Sequence, residues 1–234
     1  MALDLEEIDR SMSFHPSEAT TISCGTVTID PAQQKVLLIW NKKLKIYQLP
    51  KGRKNIGEDM LSAAMRETYE ETGVRAAPLR LKIATRATPP SDHPAAAADN
   101  NTTAAWPPQK IKTTNGSSGN GNGCVAAAPR PTATAPPCSN CEITEGRLST
   151  EFLGCCRYPD PQSSIPAMKV VFFFAGAADS TVPAGPGAQE EWEKLDTVWA
   201  SASEAAAMLR FKAEAEMVRK ALEDARRSGY PMAG

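Results

Sequence analysis

The chain has no long apolar run. The longest, Val170–Ala178, falls well short of the ~20 residues a bilayer-spanning helix needs, so no membrane partner is expected. Neither sign of charge is in excess. Lys and Arg total 26, Asp and Glu total 27, and the net charge is -1. That balance argues against a nucleic-acid partner bound by global basic charge and against an acidic solvating tail. Aromatic residues are scarce at 6%, which makes the expected core modest for 234 residues. The two histidines, His15 and His93, sit in low-complexity surroundings and receive no role. The first residues, MALDLEEIDRSMSFHPSEA, are acidic. They show neither an apolar stretch nor a small-residue cleavage site, so no secretory signal or transit peptide is expected. The expected location is therefore cytoplasmic, with the nucleus as an alternative. The six cysteines are then expected to be thiols.

What is present falls into short periodic segments. Residues 24–29 (CGTVTI) are β-rich and are broken by Asp30-Pro31. Residues 35–40 (KVLLIW) have the length and continuity of a buried strand. Tyr47–Leu49, Leu79–Ala84 and Leu195–Trp199 read as further strands. Residues 168–175 (MKVVFFFA) read as the central one. Glu58 to Thr72 reads as a helix, with Leu61, Met65, Thr68 and Thr72 on one stripe and Ala64 at its edge. Asp59 lies in its first turn, and Gly73 stands where a left-handed cap is needed. Ser201 and Glu204 have capping-box spacing. They open a helical C-terminus in which Phe211, Val218, Ala221, Leu222 and Ala225 share a face.

Between Thr88 and Pro137 the large apolar residues are Trp106, Ile111 and Val125 alone. Such a segment cannot bury enough surface to offset the entropy of ordering it. The expected organisation is a flexible arm over residues 1–20 and one domain over 21–230, interrupted by a disordered low-complexity insertion at about 86–146. The mixture of strands with an inner and a terminal helix implies an α/β or α+β fold.

The stretch with the clearest chemistry runs from Gly52 to Val74. On a helix Glu67, Glu70 and Glu71 fall within an arc of roughly 100°. Three carboxylates so close repel one another unless a cation neutralises them. Oxygen ligands on a rigid element suit a hard divalent ion, Mg²⁺ or Mn²⁺. Arg66 precedes the cluster and Glu58 lies two turns earlier, so an ion pair between them could brace the loop against the helix. Gly52 allows close backbone approach, which would make its carbonyl a further ligand. The alternative for the three glutamates alone is a solvated acidic helix face.

The full spacing, Gly52-x5-Glu58-x7-Arg66-Glu67-x2-Glu70-Glu71-x-Gly73-Val74, resembles the Nudix box. Ser23-Cys24-Gly25-Thr26 resembles the entry strand of that family, and Tyr47–Gly52 resembles the strand leading into the box. Thr68 departs from the pattern, standing where the family usually has an aliphatic residue. A small packing cost and no catalytic loss are expected there. The resemblance implies an α/β/α sandwich with a mixed sheet, and a metal-dependent pyrophosphohydrolase. It implies Glu67, Glu70, Glu71 and the Gly52 carbonyl as metal ligands, Glu70 and Glu71 among the catalytic groups, Arg66 as the residue that orients a glutamate, and Glu58 as support for the loop. It also implies that the general base comes from this cluster or from a later loop, where Glu190, Glu191 and Glu193 are candidates.

Basic residues surround the box: Lys42, Lys43, Lys45, Lys51, Arg53 and Lys54, with Arg75, Arg80 and Lys82 downstream. In a neutral protein this local asymmetry would attract a polyphosphorylated small molecule, and Lys43, Lys51, Arg53 and Lys54 are the candidate substrate contacts. The alternative is a solvated hairpin. The strings Leu49-Pro50-Lys51-Gly52 and Arg66–Glu71 look most like the diphosphoinositol polyphosphate and diadenosine polyphosphate hydrolase branch. Nucleotide sugars, ADP-ribose and NADH remain alternative substrates. A non-catalytic phospholigand-binding module and an interaction tether built on the insertion are the rival functions. Cys138-x-x-Cys141 with Cys155-Cys156 has a zinc-like look, but the adjacent second pair favours unrelated thiols. Trp192 and Trp199 could stack on a base, though Trp199 reads as core packing. Oligomeric state is left open.

Overall fold

The computed structural model describes residues 4–87, 147–186 and 195–232. Contacts divide the chain into two units, residues 1–84 with 145–234 and residues 85–144. All the helices and strands described belong to the first. Beyond Ala87 the expected insertion lies outside the described residues, as do Cys138, Cys141, His93 and the candidate bases Glu190, Glu191 and Glu193. Among the described residues no helix is long and apolar enough to cross a membrane.

The arm carries helix α1 (Leu5–Ser11), none of whose residues is buried. The sheet is then built on β1 (Thr20–Asp30), whose sequence TTISCGTVTID is rich in β-branched residues that suit a pleated, enclosed surface. Asp30 closes the turn after it by accepting from the Ala32 and Gln33 N–H groups, both at 3.0 Å. The strands that follow are β2 (Lys35–Asn41), β3 (Ile46–Gln48) and β4 (Lys51–Arg53). Helix α2 (Met60–Thr72) comes next. Two short strands, β5 (Ala77–Pro78) and β6 (Leu81–Lys82), stand where one longer strand was expected, although Leu79, Leu81 and Ile83 are buried with period two as anticipated. The chain continues through β7 (Leu148–Ser149), β8 (Gly154–Pro159), β9 (Met168–Ala177) and β10 (Leu195–Ser201).

One edge of β1 runs parallel to β9, from Thr20 opposite Met168 to Ile29 opposite Ala177. The other edge is divided. Its C-terminal end pairs antiparallel with β2, Ile29 opposite Val36. Its N-terminal end pairs antiparallel with β4, Ser23 opposite Arg53 and Gly25 opposite Lys51. β2 carries β10 and β3, and β9 carries β8 and β5. The result is a mixed eight-stranded sheet. Residues paired across strands share a face and successive residues alternate. Cys24 and Phe174 therefore look toward α2, where Ala63 and Ala64 are fully buried against them. Gly154, Phe173 and Gly25 lie on the opposite face, where Met217 of helix α4 (Lys212–Arg227) meets Gly154. Helices on both faces make the expected α/β/α sandwich.

The ends of α2 follow from local chemistry. Asp59 is its N-cap rather than a first-turn residue, and its carboxylate accepts from the Ser62 N–H at 2.9 Å. Gly73 closes the helix at φ 70°, with its N–H on the Tyr69 carbonyl. The buried positions are Ala63, Ala64, Thr68 and Thr72, while Leu61 and Met65 are half-buried. The apolar face is thus turned toward the two alanines, whose small side chains let helix and sheet approach closely.

The C-terminus differs from the single helix expected. A short helix α3 (Ala205–Met208) comes first, then extended backbone at Leu209. Tertiary bonding causes the break, because the Arg210 N–H donates to the Tyr47 carbonyl at 3.2 Å. Ser201 Oγ donates to the Glu204 carboxylate at 2.6 Å, closing a turn rather than capping a long helix. Phe211 becomes the N-cap of α4 and is exposed, whereas Val218, Ala221, Leu222 and Ala225 are buried as expected.

Thr68 departs from the box that the sequence resembles, and its hydroxyl is fully used where it stands. Its hydroxyl donates to the Ala64 carbonyl at 2.8 Å and accepts from Thr26 Oγ1 at 2.7 Å, leaving Thr28 to donate to Thr26, also at 2.7 Å. All three threonines are fully buried. An aliphatic residue at 68 would remove the acceptor for Thr26. Thr68→Val is therefore expected to lower unfolding free energy by about 1 kcal/mol in urea titration, with activity unchanged.

Candidate active site

The loop and helix that hold the box are joined by Arg66. Its Nε and Nη2 donate to the two Glu58 oxygens, both at 2.9 Å. Nη1 donates to Glu67 and to Glu70, each at 2.7 Å. Nη2 also reaches the Arg53 carbonyl at 3.0 Å. Glu58 in turn accepts from the Asn55 N–H at 2.9 Å. One planar guanidinium thus ties loop, strand and helix together, which a point-charge lysine could not do. The Glu58 hydrogen bonds raise the Arg66 pKa above its ordinary range despite partial burial. The same bonds hold the Glu58 carboxyl below the usual glutamate range.

Gly52 lies on the α2 face of β4, opposite Cys24. A Cβ there would sit 1.8 Å from Glu67 Oε2, so the bare backbone is what admits that carboxylate. Glu71 is held from the other side, accepting the Lys51 N–H at 2.8 Å. Gly52, Glu67 and Glu71 are therefore neighbours around one backbone segment, and Glu70 is linked to Glu67 through Arg66 Nη1. Among the described residues no group of three His, Cys, Asp or Glu side chains closes as a ligand set, and Arg66 is the cation that Glu67 and Glu70 meet. The seat itself fits a hard ion, since its donors are oxygens and glycine leaves room for one carboxylate against the strand.

The basic candidates separate. Lys51 is mostly buried and its Nζ lies 3.5 Å from Glu214 of α4. Arg53 is exposed and lies 3.7 Å from Asp160. Lys54 Nζ donates to the Asn55 carbonyl at 2.8 Å. Lys43 is exposed in the β2–β3 turn, where its N–H donates to Asn41. Strand register adds a cation missed in the sequence. Lys169 of β9 is opposite Thr21 and Tyr158, on the face that also carries Lys51 and Arg53. Burial, then the neighbouring Lys51, pushes its pKa down. Glu214 and Asp160 were missed as well. A glutamate in an amphipathic helix carries no local sign of being buried.

The remaining candidates take structural places. Cys155 and Cys156 are free and, as successive strand residues, point to opposite faces, so they cannot grip one zinc ion together. Cys24 is fully buried, and burial first, then Glu58, pushes its thiol up to about 11. Trp199 packs beside Leu37, Val74 and Ala178, as core. His15 Nε2 hydrogen-bonds Ser13 Oγ at 3.0 Å, in the exposed arm.

Because the folded Glu58 pKa is depressed, its contribution to stability is complete above the unfolded glutamate value of about 4.3. It is lost as pH falls through the folded value. The unfolding midpoint of the wild type should therefore drop more steeply from pH ~5 to ~3 than that of Glu58→Gln, which binds no proton there. Parallel midpoint curves from calorimetry would remove the Glu58–Arg66 brace.

Residues 20–102 match the model of the NUDIX domain. No curated protein matches the sequence. Among solved structures, a NUDIX hydrolase from Nitrosomonas europaea aligns over 91% of this chain and 92% of its own, at 14% identity and a TM-score of 0.45. The E. coli dihydroneopterin triphosphate pyrophosphohydrolase aligns over 85% and 92%, at 12% identity and 0.44. A C. elegans Ap4A hydrolase in a binary complex aligns over 86% and 93%, at 14% identity and 0.42. The matched segment contains the whole of Gly52–Val74.

Proposed function

We propose that this domain cleaves a pyrophosphate bond in a polyphosphorylated small molecule, a diphosphoinositol polyphosphate or a diadenosine polyphosphate. The domain is a pyrophosphohydrolase, formed by residues 21–230 around the insertion at about 86–146. What supports this most is the seat of Glu67 against Gly52, with Glu71 anchored one residue away on the Lys51 N–H. An ordinary acidic helix face has no need of a glycine beneath one carboxylate and a strand N–H on another.

Glu67, Glu70, Glu71 and the Gly52 carbonyl would hold Mg²⁺ or Mn²⁺, which supplies charge to the phosphate oxygens and acidifies a bound water. Arg66 keeps Glu67 and Glu70 in place, and Glu58 keeps Arg66 in place. Lys51, Arg53, Lys54 and Lys43 are the proposed substrate cations, joined by Lys169. They offset the charge of the phosphates that the reaction does not touch and stabilise the departing one. Proton removal falls to Glu70 or Glu71, or to Glu190, Glu191 or Glu193. A long anionic chain is favoured over a nucleotide sugar, ADP-ribose or NADH because three cations share one sheet face. A module that only binds phospholigands would need no such glutamate seat.

Glu70→Gln and Glu71→Gln should each lower kcat by about a hundredfold or more with little change in unfolding midpoint. Near-normal turnover in both would sink the metal assignment. The substrate is tested by an assay with Mg²⁺ across diphosphoinositol polyphosphates, dinucleoside polyphosphates, nucleotide sugars, ADP-ribose, NADH and nucleoside triphosphates. Preference for the last four classes would overturn the polyphosphate reading.

Gly52→Ala gives a second, independent test. The new methyl displaces only the tip of Glu67, a flexible group, so the fold should persist. Mn²⁺ affinity measured by calorimetry should fall by about tenfold or more, and unchanged affinity would remove Glu67 from the ligand set.

A further inference from the structure

β4 has two working faces. Gly52 looks toward α2 and the glutamates, and Lys51 and Arg53 look the other way, in register with Gly25 and Ser23. Each of these two cations ends on a carboxylate from a remote part of the chain. Glu214 of α4 is 5% exposed. One of its oxygens accepts the Leu49 N–H at 3.1 Å, and the other lies 3.5 Å from Lys51 Nζ. Lys51 Nζ also donates to the Leu49 carbonyl at 3.3 Å. Asp160, in the turn between β8 and β9, has a fully buried side chain 3.7 Å from Arg53 Nη2. It is fixed by Thr21 Oγ1 at 2.6 Å and the Gln162 N–H at 3.0 Å.

Buried ion pairs are poor stabilisers compared with apolar residues of the same volume. Two buried carboxylates that end on alternate residues of one three-residue strand, Glu214 at Lys51 and Asp160 at Arg53, ask for a reason beyond stability. Long cationic side chains lose rotamer freedom when a ligand immobilises them. A carboxylate that has already ordered the amine or guanidinium removes that cost from binding. Lys51 also carries the coupling to the other face, because its own N–H holds Glu71.

We propose that Glu214 and Asp160 are positioning residues that hold Lys51 and Arg53 as a preset pair of cations for the phosphates of the substrate. This role deepens the polyphosphate reading above and rests on it. The carboxylates do not touch substrate; they act through the two cations.

The test is a pair of double-mutant cycles, read by calorimetric titration of inorganic tripolyphosphate into the full chain without metal. Glu214→Gln should weaken binding about five- to tenfold, and it should add nothing once Lys51→Ala is present, since the cycle then has no partner to couple. Asp160→Asn should behave in the same way with Arg53→Ala, with a loss of about threefold at this more exposed contact. Equal losses on both backgrounds would mean a purely structural role and overturn the assignment. So would unchanged or tighter binding in Glu214→Gln, or a wild type that takes up no tripolyphosphate. Should Glu214→Gln fail to fold, the Asp160–Arg53 cycle carries the test alone. A coupled cycle in a protein without hydrolysis would count against turnover and for positioning, and hydrolysis without coupling would do the reverse.

Discussion

The Arg66 guanidinium is the interaction on which the site depends. It meets Glu58, Glu67, Glu70 and the Arg53 carbonyl at once. Like charges crowded on one helix face repel, and a single cation fixed among them converts that repulsion into a defined arrangement. The bonds to Glu58 and to the β4 carbonyl also set the path of the loop between strand and helix. The loop is therefore shaped by the same charge that orders the carboxylates, and geometry and electrostatics cannot be changed separately there.

β1 gives this arrangement its platform. Its divided edge lets β2 extend the sheet at one end and leaves the other end to β4. A three-residue strand has too few hydrogen bonds to hold itself. β4 is kept in place by β1 on one side, by Glu71 of α2, and by Glu214 of α4 acting beside it at Leu49 and Lys51. Both helices of the sandwich thus grip the segment that carries Gly52. The buried threonine chain from Thr28 to Thr68 joins α2 to β1 directly, so the helix that bears the glutamates is tied to the platform by directional bonds as well as by packing.

Local chemistry was sufficient for a large part of this. Asp59 and Gly73 mark the limits of α2 because capping depends on the residue itself and its near neighbours. The apolar run of residues 35–40 and the residues 168–175 became sheet strands because continuous burial leaves them few other states. The box spacing was legible for the same reason, since every member of it lies within one short strand, the loop after it and two turns of helix. What tertiary structure decided lies elsewhere. The C-terminal helix breaks at Leu209 because Tyr47, far away in the chain, takes the Arg210 N–H. The α2 face that packs on the sheet centres on Ala63 and Ala64, with Leu61 and Met65 at its margin. Lys169, Asp160 and Glu214 join the cations of β4 through strand register and helix packing, which bring together residues more than a hundred positions apart. No local pattern in one sequence can state such pairings. The chain by itself determined which chemistry it carries, because the box is local; the fold decided which charges face one another, because that depends on how distant segments pair.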